Sequence, residues 1–111
     1  MCGVWYTICI MNTRFSIEDA IAKINQPWTP IDLTEFNGQV LRIALFQGEY
    51  KDHSHEYDEF FTVYQGKITI ITEDGNIELD EGEGAVIPKG ITHKPVAKEP
   101  AYVLMIDAKN V

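Results

Sequence analysis

At 111 residues the chain is sized for one domain that can bury a core without disulfide staples. Hydrophobic residues make up 45% and charged residues 23%, the balance of an ordinary globular protein and not of a disordered one. The formal net charge of −8 repels phosphate backbones and anionic lipid, so no nucleic acid and no membrane partner is expected, and a small-molecule ligand or a protein becomes the default.

The opening stretch Met1 to Met11 is apolar, has no preceding positive charge, and is too short to span a bilayer. A secretory signal is therefore not expected, and Val4 to Ile10 reads either as an edge strand or as sequence upstream of a start at Met11. Cys2 and Cys9, the only cysteines, lack the spacing of a disulfide framework or a zinc knuckle and are read as reduced thiols of a cytoplasmic protein. Ser16, followed three residues later by Asp19, approximates a capping box. Ile17, Ala20, Ile21 and Ile24 then form one apolar stripe, which predicts a helix over residues 16–26 stopped by Pro27.

After Trp28 the chain reads as strands and turns. Gln39 to Phe46 is an apolar run bounded by Asn37-Gly38 and Gly48, and Glu59 to Tyr64 is an aromatic, β-branched run closed by Gly66. Lys67 to Thr72 and Asn76 to Leu79 flank Asp74-Gly75, a two-residue hairpin signal. Ala85 to Ile87 stops at the Pro88-Lys89-Gly90 turn, and Thr92 to Ala97 and Tyr102 to Asp107 complete the strands. Many short strands separated by turn chemistry predict an all-β sandwich or barrel with one short N-terminal helix, organised as a single domain.

The three histidines are His53, His55 and His93. In an extended strand His53 and His55 leave the same face, and a turn at Tyr57-Asp58 would bring Glu59 back across from them. His93 follows the Pro88-Lys89-Gly90 turn and can enter the same interior from another strand. Singly, each histidine is more often silent than functional. Together with Glu59 they make three neutral imidazoles and one carboxylate, a ligand set for one divalent transition metal: iron, manganese, nickel, cobalt or zinc. The absence of thiolates argues against copper(I) and structural zinc.

These residues carry a family resemblance. Gly48, His53-Ser54-His55, Glu59 and Gly66 resemble the first cupin motif, and Gly82, Pro88, Gly90 and His93 match the second, G-x5-P-x-G-x2-H, at every fixed position. Two departures are visible: only four residues separate Gly48 from His53, one fewer than usual, and Ala97 stands where asparagine is frequent, away from the germin-like branch. Small single-domain cupins labelled mannose-6-phosphate-isomerase-like are similar in the runs Asp58 to Phe61 and Pro88 to Pro95. The resemblance covers Gln39 to about Asp107 and implies a double-stranded β-helix, or jelly-roll, barrel with His53, His55, Glu59 and His93 as metal ligands.

Alternation puts Phe61 and Val63 on the face of Glu59, which makes them candidates for a substrate pocket as well as for plain core. Tyr50 is a candidate wall residue, and Arg42, inside an apolar strand, is either an anion-binding group or an outward arginine. The expected function is a metal-dependent enzyme of oxygenase or isomerase type acting on a small polar molecule, the alternative being a non-catalytic binding or sensor module. A homodimer is expected, with the apolar N-terminal segment docking or exchanging across a two-fold axis.

Overall fold

A computed structural model describes residues 14–109 of the chain. The readings made for Cys2, Cys9 and the Val4 to Ile10 segment lie outside the described residues. The elements run α1 (Ile17–Lys23), β1 (Ile31–Phe36), β2 (Gln39–Glu49), β3 (Glu59–Gln65), β4 (Ile68–Thr72), β5 (Gly75–Leu79), β6 (Gly84–Ile87) and β7 (His93–Ala108). Among the described residues no helix is long and apolar enough to cross a membrane.

Helix α1 begins where the sequence placed it. The Ser16 side chain accepts from the Asp19 N–H at 3.1 Å, Glu18 and Asp19 occupy the first turn and Lys23 the last, and Ala20 is buried. It ends three residues earlier than residue 26, because Ile24 is already extended (ψ 123°). Pro27 disfavours helix at the residue before it and has no N–H to offer the Lys23 carbonyl. A second constraint is Trp28, tied to β2 by its backbone N–H donating to the Leu45 carbonyl at 2.8 Å and by its indole N–H donating to the Gln47 carbonyl at 3.1 Å.

All strand pairings are antiparallel. Five strands lie in the order β1-β2-β7-β3-β6, and the β4-β5 hairpin joins through β4 to the first half of β7. This is the all-β, jelly-roll architecture expected. Strand β1 was not among the predicted strands, since Ile31 to Phe36 mixes acidic and apolar residues without clean alternation. Its signal lay in the turn: Asn37 (φ 51°) and Gly38 (φ 73°) link Phe36 to its partner Gln39, as a primed two-residue hairpin requires. The β4-β5 turn sits one residue earlier than expected. Glu73-Asp74 form it, without positive φ, and Gly75 opens β5 at φ 127°.

The two expected strands Thr92 to Ala97 and Tyr102 to Asp107 are halves of β7, one strand with a bend between them. Pairing on β2 jumps from Phe46 opposite Ala101 to Gly48 opposite Ala97, so β7 carries extra residues where it leaves β4 and reaches β3. Alternation on either side of the bend sends His93, Pro95 and Ala97, then Ala101, Val103, Met105 and Asp107, inward. Of these, Ala97, Ala101, Val103 and Met105 meet Ala44, Phe46, Phe61 and Ile70 in one apolar cluster. The polar members of this inward row, His93 and Asp107, lie at its two ends.

Candidate metal centre

His53 and His93 form an isolated antiparallel bridge: the His53 N–H donates to the His93 carbonyl at 3.0 Å, and the His93 N–H returns to the His53 carbonyl at 2.8 Å. The His53-His55 pair therefore sits in a loop pinned at one bridge, not in the regular strand expected. His55 is fixed by its carbonyl, which accepts from the Gly90 N–H at 2.8 Å. Gly90, at φ 82°, is the residue of the Pro88-Lys89-Gly90 turn that must take a left-handed backbone. Asp58 holds the other side of that turn, accepting from the Lys89 N–H at 2.9 Å. Two loops distant in sequence are thus locked together, and each delivers histidine to the same point.

The ligand atoms of His53, His55, Glu59 and His93 all lie within 4.8 Å of one another. Glu59 Oε1 is 3.2 Å from His55 Nε2 and 3.3 Å from His93 Nε2. The opposite nitrogens are engaged: His53 Nδ1–H donates to the Lys51 carbonyl at 3.0 Å, and His93 Nδ1–H donates to the Ile91 carbonyl at 2.9 Å. A carbonyl accepts only from N–H, so both rings carry the proton on Nδ1 and keep the Nε2 lone pair free for a cation. This donor set fits a divalent transition metal, with one anionic ligand leaving a residual positive charge on the ion.

Electrostatics follow burial. Glu59 and His93 are almost fully enclosed. Burial alone would raise the Glu59 carboxyl, but hydrogen bonds from His93 and Asp107 and the imidazole charges outweigh it and hold Glu59 below its usual range. Burial likewise pulls His93 down, yet its bonds to Glu59 and Ile91 carry it above the ordinary imidazole value. His53 is lowered, first by burial. Glu59 and His93 therefore shift in opposite senses, each favouring its charged form because of the other.

Above these ligands opens a cavity of about 290 Å³. Phe61, Arg42 and Tyr50 line it; Val63 does not, and is buried in the apolar cluster. Trp28 lies 4.6 Å from Phe46 and 5.1 Å from Tyr50 between ring centroids, and Tyr50 meets His53 edge-on at 5.2 Å, so one aromatic wall runs down to the ligands. Tyr57 stacks on His55 at 4.8 Å, and its phenol is pushed up to about 12, first by burial and then by Asp107 and Glu59, so it stays protonated.

Arg42 faces the cavity, with Nε donating to Asp32 at 3.0 Å and Nη1 to Asp107 at 3.3 Å. Asp107 is 4% exposed, and among the described residues its Oδ1 has no hydrogen-bond partner. Burial, then the hydrogen bond and charge of Glu59, push its carboxyl up to about 8 against the opposing effect of Arg42. Trp28, Tyr57 and Asp107 were missed by sequence reasoning. Only Asp107 had a local signal: an acid in the inward register of Ala101, Val103 and Met105.

Residues 43–107 match the family model Cupin_2, described as Cupin domain. A cupin-2 domain containing protein from Shewanella frigidimarina has a solved structure that superposes with a TM-score of 0.85 at 35% identity, covering 90% of this chain and 99% of that one. The uncharacterized protein YdbB of Bacillus subtilis is 31% identical over 74 residues, 65% of this chain and 66% of that protein. A protein of Saccharolobus solfataricus provisionally named a dioxygenase is 34% identical over 56 residues, which is half of this chain but 15% of that longer one.

Proposed function

Since this chain belongs to the cupin-domain family, we propose that it is a metal-dependent enzyme acting on a small polar molecule, with oxygenase chemistry the first reading. The observation that carries this is the convergence of His53, His55, Glu59 and His93, the first three of which line an aromatic-walled cavity. Four protein ligands on a six-coordinate ion leave two positions for a chelating substrate or a small reactant. The ion, when bound, supplies Lewis acidity and, if it is iron(II), electrons for oxygen chemistry. The relative provisionally named a dioxygenase supports the same direction.

The chain's own residues hold and orient. Lys51 and Ile91 carbonyls fix the imidazole tautomers, Glu59 supplies the single negative charge, and the aromatic wall excludes water from one side. Isomerisation of a sugar phosphate, suggested by the similarity to isomerase-like cupins, is the weaker reading, because it needs a free general base. Asp107, the remaining carboxyl of the cavity, is already engaged by Arg42 and Glu59. That engagement also favours one alternative of another class, a binding module that holds a metal-chelated ligand without turning it over.

Elemental analysis of wild type beside His53→Ala and His93→Ala tests the site. Close to one equivalent of transition metal in wild type, lost in both variants, is expected. No metal after anaerobic reconstitution with iron, manganese, nickel, cobalt and zinc sinks the reading. With iron loaded, oxygen uptake that depends on one substrate class separates the oxygenase from the silent binding module.

A cytoplasmic homodimer completes the proposal. Light scattering at micromolar concentration is expected to return twice the 12.6 kDa chain mass, and a monomer mass would refute the dimer.

A further inference from the structure

Trp28 has a backbone that its side chain does not favour. Its φ is 62°, the left-handed region, where a bulky residue is uncommon and costs about 1 kcal/mol or more. It is held there by two hydrogen bonds to β2, one from the backbone and one from the indole N–H. The result is an indole plane laid against Phe46 and Tyr50 at the cavity wall, half-buried and continuous through Tyr50 with His53. A strained residue that is so tied down, and that faces a cavity, points to a use for its exposed face.

The rest of the cavity narrows what that face can receive. A cavity of about 150 Å³ is enough for benzene, so one of about 290 Å³ has room for a substituted ring. Among the described residues Arg42 is the only lysine or arginine of its lining, and two carboxyl groups already engage it. Glu59 and Asp107 line the same space. A phosphate dianion would therefore meet two carboxyl groups and no unengaged guanidinium, whereas one anionic oxygen would balance the residual charge of a divalent ion bound through Glu59.

We propose, resting on the metal-site reading above, that the cavity binds a single-ring hydroxylated aromatic, with its oxygen toward the His53–His55–Glu59–His93 site and its ring stacked on Trp28. Trp28 is then a specificity-determining residue.

The test is calorimetric titration of the zinc-loaded protein with catechol, glucose 6-phosphate and inorganic phosphate, in wild type, Trp28→Phe and Trp28→Asn. Phenylalanine keeps an aromatic face; asparagine removes it while tolerating the left-handed backbone, so the lost packing is not compounded by backbone strain and retained zinc reports an intact barrel. Catechol is expected to bind at least tenfold more tightly than glucose 6-phosphate. Trp28→Asn should weaken catechol by roughly tenfold and Trp28→Phe by about threefold or less, given the size of aromatic contacts, with zinc content unchanged in both. Tighter binding of either phosphate, or a Trp28→Asn affinity equal to wild type in protein that holds zinc, overturns the inference. Repeating the titration on zinc-free protein separates the two claims. If no zinc is held but the preference for catechol and its dependence on Trp28 persist, the ligand class stands and the metal reading falls.

Discussion

In the metal-free protein, Asp107→Asn is expected to be more stable than wild type at pH 9, with an advantage that fades toward pH 4. The Asp107 carboxyl is raised from 3.8 to about 8, first by burial and then by its neighbour Glu59. An acid raised on folding contributes its stability fully below the unfolded value and loses it as pH climbs through the folded one. The native state therefore becomes progressively less favourable between about pH 4 and pH 8, as an enclosed carboxyl is forced to ionise beside Glu59. Asparagine has the same shape, offers N–H to Glu59 and a carbonyl to Arg42, and carries no charge to desolvate. Arg42 keeps Asp32 as its partner, so the lost ion pair offsets only part of the gain. The difference at pH 9 should be on the order of a few kcal/mol. Urea melts of chelator-treated wild type and variant at pH 4, 7 and 9 measure it directly. Equal stability at pH 9 would mean that Asp107 is accommodated as an ion in the native barrel.

Gly66→Ala should be strongly damaging, because it combines a positive φ with a close approach of the neighbouring strand. A Cβ at Gly66 would stand 2.9 Å from Ala101 Cβ and 3.0 Å from the Pro100 carbonyl oxygen, and the backbone there is at φ 96°. The left-handed backbone costs an alanine about 1 kcal/mol, and overpacking adds about 1–3 kcal/mol. The neighbour that must give way is the bend of β7, where Pro100 and Ala101 lead the strand toward β3. A fall in melting temperature of roughly 10 °C or more is expected. Gly82→Ala supplies the control: its φ is 82° but a Cβ there meets nothing within 4 Å, so only the backbone cost of about 1 kcal/mol applies. If the two variants melt together, the close approach at the β7 bend is softer than its geometry implies.

The motif glycines show how a sequence pattern becomes physics. Gly66 is required by close approach and Gly90 by turn handedness, and both constraints are local enough to leave a mark at fixed spacing. The four candidate ligands were readable for the same reason: each sits a short, defined distance from a turn that aims it. Strand β1 was equally available, because Asn37-Gly38 is a strong hairpin signal, but it was used only as the boundary of β2. The helix end at Lys23 was not available, since one contact that constrains it, Trp28 on Leu45 and Gln47, joins residues far apart in the chain.

Arg42, Asp107 and Trp28 divide what the sequence determined from what only the tertiary structure decided. Composition, alternation and turn chemistry determined an all-β chain with one short helix, its main strands, and three histidines with one glutamate able to share a metal. These are properties of periods of two residues and of single turns, carried within a few positions. Whether Arg42 is an anion receptor or a tether depends on Asp32 and on Asp107, 65 residues away. Whether Asp107 holds its proton depends first on its burial and then on Glu59 from another strand. Strand register sets these neighbours, and register is the sum of many distant pairings, so charge state and cavity chemistry emerge only once the barrel is assembled.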